Sequence, residues 1–481
     1  MHPLDIEIYE HDNVMKIPRH AFREYDIRGV AEHDLTDDVA HSIGRAFAST
    51  LRADAASGDP RPRVVVGRDG RLSSPRLFRA LVRGLTESGV NVVSIGVGPT
   101  PLLYFAAHHL GTEGAIMITG SHNPGPDNGM KLMRGKSSFY GADLQALAER
   151  IEADDFIQAS TVGEHEEVDL STEYVNAVER ASSLAHTNLR LVIDAGNGAA
   201  GPLGMKALRH LGLDPDPLFC DIDGAFPNHH PDPTMPENLA SLRERVLSTG
   251  ARLGVAWDGD GDRIGAIDEN GDIVWGDKLM ILFARGVLRE HPGAAILGEV
   301  KCSETLYTDI AKHGGRPIVW KTGHSLIKAK MKEEGALLAG EMSGHVFFAD
   351  RYWGFDDAIY ATVRLIEILA QGDRSLSELL ADVPTTFATP ELRIECAEAA
   401  KFGVVRRVFA HFRRTHAVLD IDGARIDFGD NAWGLCRASN TQPVLVLRFE
   451  ARTEARRDEI RAEVEAVVAA AVVAESHASL A

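Results

Sequence analysis

The stretch LRLVIDAGNGAAGPLGMKALRHLG, from Leu189 to Gly212, sets an apolar β-branched run, a Gly/Asn loop and a helical pattern end to end. The same order recurs on both sides of it. RVVVGRDGR, from Arg63, leads into SPRLFRALVRGLTESG, whose apolar positions fall at helical spacing. AAILGEVKCSETL, from Ala294, leads into YTDIAKHGG, and RPIVWKTGHS follows directly. Strands alternating with helices at this spacing predict α/β units. Their recurrence predicts three α/β domains of related design, although no residue-level repeat is visible. After about Pro384 the texture changes. FATPELRIECA, HAVLDIDGARIDFGDNAWGLCRAS and PVLVLRFEARTE alternate apolar and polar residues between Gly/Asp turns, which predicts an antiparallel α+β module. The expected division is 1–166, 167–271, 272–385 and 386–481, with the first limit in the acidic stretch EADDFIQASTVGEHEEVD.

A chain of 481 residues exceeds one ordinary core, in keeping with several domains. Its composition, 44% hydrophobic and 25% charged, is that of a soluble globular protein. The formal net charge of −19 argues against general affinity for nucleic acid or an anionic membrane. An anionic ligand would therefore need local Arg, Lys or metal. Cys220, Cys302, Cys396 and Cys436 are far apart without any CxxC pairing, so they read as reduced thiols of a cytoplasmic protein. MHPLDIEIYEHD carries acids where a signal peptide carries bases, and VEAVVAAAVVA is too short to span a bilayer and reads as a terminal helix.

Four motifs carry chemistry. In WDGDGDRIGAIDENGD, Asp258, Asp260 and Asp262 follow the apparent strand ARLGVAW at every second position. Carboxylates converging on one loop repel each other unless a cation neutralises them, and hard oxygen ligands suit Mg²⁺ or Ca²⁺. An EF-hand is excluded, because its sixth position would be Arg263 instead of glycine and the loop follows a strand. Arg263, beside that loop, suits an anion sharing the metal.

The second motif is TGSHNP. The run EGAIMI before it reads as a buried strand and Asn-Pro marks a turn, which sets Ser121 on a loop at a strand end. In CRASNTQP, Arg437, Ser439, Asn440 and Thr441 form a donor cluster suited to a phosphate dianion, or else ordinary turn chemistry. In AGEMSGH, Glu341 and Ser343, with His345 nearby, suit adjacent hydroxyls of a polyol or a solvated loop. Lys321 and His324 in KTGHS are open in the same way. FPNHHPDPTMPENL offers His229 and His230, but neighbouring histidines do not readily reach one ion, and the prolines read as a rigid structural connector.

TGSHNP, DGDGDR, GEMSGH and RASNTQP, with FREYDIRG and VGRDGR ahead of them, resemble in order and spacing the α-D-phosphohexomutase superfamily. GEMSGH is most similar to its phosphomannomutase/phosphoglucomutase branch, since phosphoglucosamine mutases show Gln where Met342 stands. The resemblance implies a heart-shaped four-domain enzyme with one motif from each domain at a central cleft. It implies that Ser121 is the phosphoserine and that Asp258, Asp260, Asp262 and a phosphoserine oxygen hold Mg²⁺. Arg263 and Lys131 would attend the transferring group, and Tyr25 and Arg28 would line the same site. Lys301 and His324 would assist sugar binding and proton transfer, with the general base unassigned. Glu341, Met342, Ser343, Gly344 and His345 would meet the sugar, and Arg437, Ala438, Ser439, Asn440 and Thr441 the phosphate that is not reacting.

The implied activity is interconversion of hexose 1- and 6-phosphates through a hexose 1,6-bisphosphate, which also serves as activator, in a monomer or dimer. The alternatives are a phosphoglucosamine mutase, a phosphoserine-dependent phosphatase and a silent sugar-phosphate sensor. The phosphatase would call for a zinc-ligand set that the sequence does not offer. The sensor would be favoured by loss of Ser121 or an aspartate, and all are present.

Overall fold

The computed structural model describes residues 17–54, 61–440 and 442–478. The strands form four sheets. The first contains β1 (Ile27–Val30), β2 (Arg63–Arg68), β3 (Asn91–Val97), β4 (Gly114–Ile118), β5 (Asp127–Arg134), β6 (Ser137–Phe139) and β7 (His165–Glu167), in the order β1-β5-β4-β2-β3-β7 with β6 beside β5. The second contains β8 (Leu191–Asp194), β9 (Asp216–Leu218), β10 (Leu253–Trp257), β11 (Ile264–Asp268) and β12 (Ile273–Val274), in the order β12-β11-β10-β8-β9. The third contains β13 (Ala295–Glu299), β14 (Arg316–Trp320), β15 (Leu338–Gly340) and β16 (Val346–Phe348), in the order β14-β13-β15-β16.

The related design expected from the sequence is thus a topological repeat. In each sheet four strands taken in chain order lie fourth, third, first, second: β5-β4-β2-β3, β11-β10-β8-β9 and β16-β15-β13-β14. The first three of each set are parallel, and the fourth turns back antiparallel on the third. The central parallel strands are largely apolar because both faces are covered; β4, β10 and β13 are buried at every position, while the edge strand β14 is exposed or half-buried along its length.

The fourth sheet, β17 (Phe387–Ala388), β18 (Leu392–Glu395), β19 (Ala417–Leu419), β20 (Ala424–Asp427), β21 (Trp433–Ala438) and β22 (Val444–Ala451), is antiparallel throughout, as its alternating sequence predicts. The terminal apolar run lies in the helix Glu454–Ala478, and no helix among the described residues is long and apolar enough to cross a membrane. Two expected limits need adjusting. The limit at 166/167 cuts β7, which pairs with β3, and β12, beyond 271, pairs with β11. Both strands are two or three residues long at a sheet edge, too short to carry a periodic signal.

One apolar cluster runs through the first three units, joining Leu103 and Phe105 to Ile193 and Trp257 and on to Leu282 and Tyr360. The C-terminal unit has its own core, with Val404, Phe412, Leu447 and Ile460. It meets the third unit through a small patch of Val300, Trp433 and Leu435.

Candidate active site

Each of the four motifs occupies the turn of a hairpin: TGSHNP between β4 and β5, the aspartate loop between β10 and β11, GEMSGH between β15 and β16, and SNTQP between β21 and β22. Ser121 has φ of +50°, a left-handed conformation costly for a residue with a Cβ. Buried Arg71 holds it there by donating to the carbonyls of Ser121 at 2.7 Å, Asn123 at 2.6 Å, Pro124 at 2.7 Å and Asp127 at 2.9 Å. The Ser121 hydroxyl donates to Asp258 Oδ2 at 2.8 Å and lies 3.0 Å from His122 Nδ1. Gly259 is required beside it, because a Cβ there would stand 2.4 Å from the Ser121 carbonyl oxygen.

Asp258 Oδ1 closes the aspartate loop by accepting from the amides of Gly261, Asp262 and Arg263 at 3.0–3.1 Å. Asp260 Oδ2 accepts from Thr100 Oγ1 at 2.5 Å and from Lys131 Nζ at 2.7 Å, and Lys131 also donates to Asp262. All three aspartates are fully buried. Burial raises the Asp258 carboxyl well above its ordinary range, and the neighbouring Asp262 and Asp260 push it the same way. Burial acts on Asp260 in the same direction, but the Lys131 ammonium overrides it and holds that carboxyl low.

Asp260 Oδ1 and Asp262 Oδ1 are buried without a hydrogen-bond partner among the described residues. One oxygen from each of the three aspartates lies within 4.8 Å of the others. Oxygen-only donors, two of them orphaned, with one lysine against three carboxylates, fit a hard divalent cation.

The remaining candidates continue outward as one polar network. Arg28 donates to Asp26 at 2.7 Å and to Asn123 at 2.8 Å. Arg263 Nε donates to His345 Nε2 at 2.9 Å, and His345 Nδ1 lies 3.1 Å from Asp356. Glu341 accepts from the Gly323 amide at 2.6 Å and from Ser343 at 3.4 Å. Gly344 has φ of +95° and lies so close to β11 that a Cβ would stand 2.3 Å from the Ile264 carbonyl oxygen. The Met342 amide donates to Glu299 at 3.3 Å. Lys301 donates to Glu391 at 2.8 Å. His324 is buried with both ring nitrogens unpartnered among the described residues; burial and then Lys328 keep it neutral, well below its ordinary pKa. Tyr25 donates to the Thr322 carbonyl at 2.8 Å and accepts from Asn440 at 2.7 Å, joining the first, third and fourth units. Arg437 pairs with Asp422 at 3.0 Å, Ala438 ends β21, and the Ser439 carbonyl accepts from Lys401 at 2.7 Å. Thr441 lies outside the described residues.

Four family models match in sequence order. Phosphoglucomutase/phosphomannomutase alpha/beta/alpha domains I, II and III match residues 19–158, 172–271 and 275–387, and the C-terminal domain matches 391–467. A phosphomannomutase/phosphoglucomutase of Pseudomonas aeruginosa is 46% identical over 91% of this chain and 93% of its own. A phosphoglucomutase of Neisseria meningitidis is 44% identical over 91% of this chain and 94% of its own. The crystal structure of a phosphoglucomutase/phosphomannomutase family protein from Burkholderia thailandensis superposes with a TM-score of 0.88 at 44% identity, covering 95% of this chain and 98% of that one.

This chain belongs to the phosphoglucomutase/phosphomannomutase family. Its family motifs reach the site described above, and so do residues to which the sequence reading gave no role. Arg71 braces the serine loop, Thr100 and Asp260 bond to each other, Asp356 faces His345, and Glu299 ties the backbone of Lys301 and Met342 to Thr322. Asp422 and Glu391 answer Arg437 and Lys301. Of His229 and His230, read from the sequence as part of a structural connector, His230 touches the site directly by bonding to the His122 carbonyl. Each of these contacts is made across the chain or by an unremarkable residue type, so spacing carried no signal for it.

Proposed function

We propose that this protein is a phosphomannomutase/phosphoglucomutase that interconverts glucose or mannose 1- and 6-phosphates through phosphorylated Ser121 and a hexose 1,6-bisphosphate. The observation that carries this reading is the strained, buried Ser121, its hydroxyl on Asp258 at the meeting of two hairpin loops. Phosphoryl transfer depends on in-line positioning and charge neutralisation more than on covalent help. Mg²⁺ held by Asp258, Asp260, Asp262 and a phosphoserine oxygen would neutralise charge on the transferring group.

In the first half-reaction the Oγ–P bond of phosphoserine breaks as a bond forms from phosphorus to the sugar hydroxyl, whose proton leaves. Arg28, Lys131 and Arg263 hold the moving group. His324, neutral and without a hydrogen-bond partner among the described residues, would take the proton, and Lys301 would assist in orienting the sugar. Glu341 and Ser343 meet adjacent sugar hydroxyls, with Met342, Gly344 and His345 shaping that loop. Arg437 through Thr441 grip the other phosphate. The bisphosphate then turns round and returns its second phosphate to Ser121, so one grip serves both ends. A cleft closed over the sugar would keep water from the phosphoenzyme. The four free cysteines suit a reducing compartment, and we read the enzyme as cytoplasmic.

A coupled assay of glucose, mannose and glucosamine 1-phosphates, with Mg²⁺ and a trace of hexose 1,6-bisphosphate, tests the reading. Turnover of the first two above the third is expected. Turnover of none overturns the mutase, and a wide preference for glucosamine 1-phosphate overturns the branch.

A further inference from the structure

The segment Asn228–Pro231 enters the site as a wedge between three loops. Asn228 donates to Asn197 Oδ1 at 2.8 Å, in the loop after β8. His229 Nε2 faces both oxygens of buried Asp194, at the end of β8, at 3.0 and 3.1 Å, while its Nδ1 faces the His230 carbonyl at 2.9 Å. Both partners only accept, so both ring nitrogens carry protons and His229 is an imidazolium paired with Asp194. Burial opposes that charge, and the bond that His229 donates to Asp194 overrides it, raising the His229 pKa. From this anchored base His230 Nε2 reaches the His122 carbonyl, directly after Ser121. A carbonyl only accepts, so Nε2 is the donor. The next residue, Pro231, accepts from the Gly259 amide at 3.1 Å, between Asp258 and Asp260. Adjacent residues of one anchored segment therefore hold the serine loop and the aspartate loop.

We infer that His230, anchored through His229 and Asp194, is a positioning residue that sets the Ser121 loop against the aspartate loop for phosphoryl transfer. It touches neither the reacting atoms nor the distal phosphate grip. Its loss loosens the serine loop from one side while Arg71 still holds the other. Transfer tolerates little misplacement of the attacking and leaving oxygens, so the effect falls on turnover and leaves the grip at Arg437 intact. The inference rests on the mutase reading for its kinetic consequence, and on the hydrogen bond alone for its structural one.

The test compares wild type with His230→Phe, which keeps a ring and removes the donor, and His230→Gln, which restores an N–H. His230→Phe is expected to lower kcat roughly ten-fold or more with KM within about two-fold of wild type, and His230→Gln to recover most of it. Amide hydrogen exchange in the peptide spanning Thr119–Asp127 is expected to quicken in His230→Phe and return in His230→Gln. Should His230→Phe fail to fold, His230→Asn, whose amide falls a methylene short, takes its place. Unchanged kcat in the donor-less variant, or KM and kcat moving together without rescue, overturns the inference. A wild type without mutase activity overturns the proposed function instead, and the exchange comparison then decides the clamp by itself: unaltered exchange overturns it.

Discussion

Ser121 is held at φ +50° by the Arg71 guanidinium on its carbonyl and the Thr119 hydroxyl on its amide at 2.8 Å. A non-glycine residue in this region costs of order 1 kcal/mol or more, and such strain persists where the surroundings over-determine it. The consequence is a hydroxyl aimed at Asp258 from a backbone that does not relax away. Replacing Ser121 by Ala leaves every brace in place, since the bonds are to backbone and to Thr119. The expected outcome is a folded protein with wild-type thermal stability and turnover reduced roughly 10³-fold or more, because the covalent relay is gone. Steady-state kinetics with added bisphosphate, beside a thermal melt, measures both. Turnover near wild type would remove Ser121 from the mechanism.

Among the elements, the recurring one is the hairpin whose turn carries a motif. The strands were legible in RVVVGR, LRLVID and AAILGE because burial on both faces leaves continuous apolar runs, and the antiparallel sheet was legible in its alternation. The shared strand order was not, since it resides in pairing and not in residue identity. For the same reason the bracing role of Arg71 was not legible, although VGRDGR ends on it: its partners lie some fifty residues on, and no local pattern connects them. His229 and His230 were read as part of a structural connector; what they connect was not legible, because Asp194 and the His122 carbonyl lie 35 and 108 residues away.

The helix Ala358–Ala370 shows another long-range feature, in its N-cap Asp357, which accepts from the Tyr360 amide and from the hydroxyls of Tyr174 and Tyr352. Burial raises this carboxyl from 3.8 to about 6. A folded-state pKa above the unfolded one means that the folded protein binds more protons in between. The group's contribution, about 3 kcal/mol at most, is thus fully present below about pH 4 and lost as pH rises through about 6. Asp357→Asn removes that dependence. In urea titrations the stability of wild type relative to the variant should fall by about 1 kcal/mol between about pH 5 and about pH 7.5. A flat or rising difference would show that the three donors keep the carboxylate ionised.

At the scale of the whole molecule, three units share one apolar core and the fourth does not. What joins the fourth to the rest is largely polar, and it converges on the backbone around Lys301. Arg425 lies over the Trp433 ring at 3.9 Å and donates to the carbonyls of Val300 and Cys302, the latter at 2.9 Å, and to Glu304 at 2.9 Å. Arg448 donates to the Lys301 carbonyl at 2.8 Å. Three consecutive carbonyls of the third unit are therefore held by arginines of the fourth, and the side chain of the middle residue reaches Glu391 of the fourth unit. Unit docking and site geometry thus depend on the same groups.

Arg425→Ala leaves two buried carbonyls without their donor, at about 1–3 kcal/mol each, and strips a cation from Trp433. The core of neither unit loses an apolar contact, so the damage concentrates at the junction. Calorimetry should show a lower-melting transition separating from the main one, corresponding to the C-terminal unit. KM should rise for hexose 1- and 6-phosphates alike, because Lys301 and the Arg437 grip both lie across that junction, with kcat affected less. A single transition at the wild-type temperature with unchanged KM would mean that the patch of Val300, Trp433 and Leu435 suffices to dock the fourth unit, and that the arginines hold only each other's neighbours.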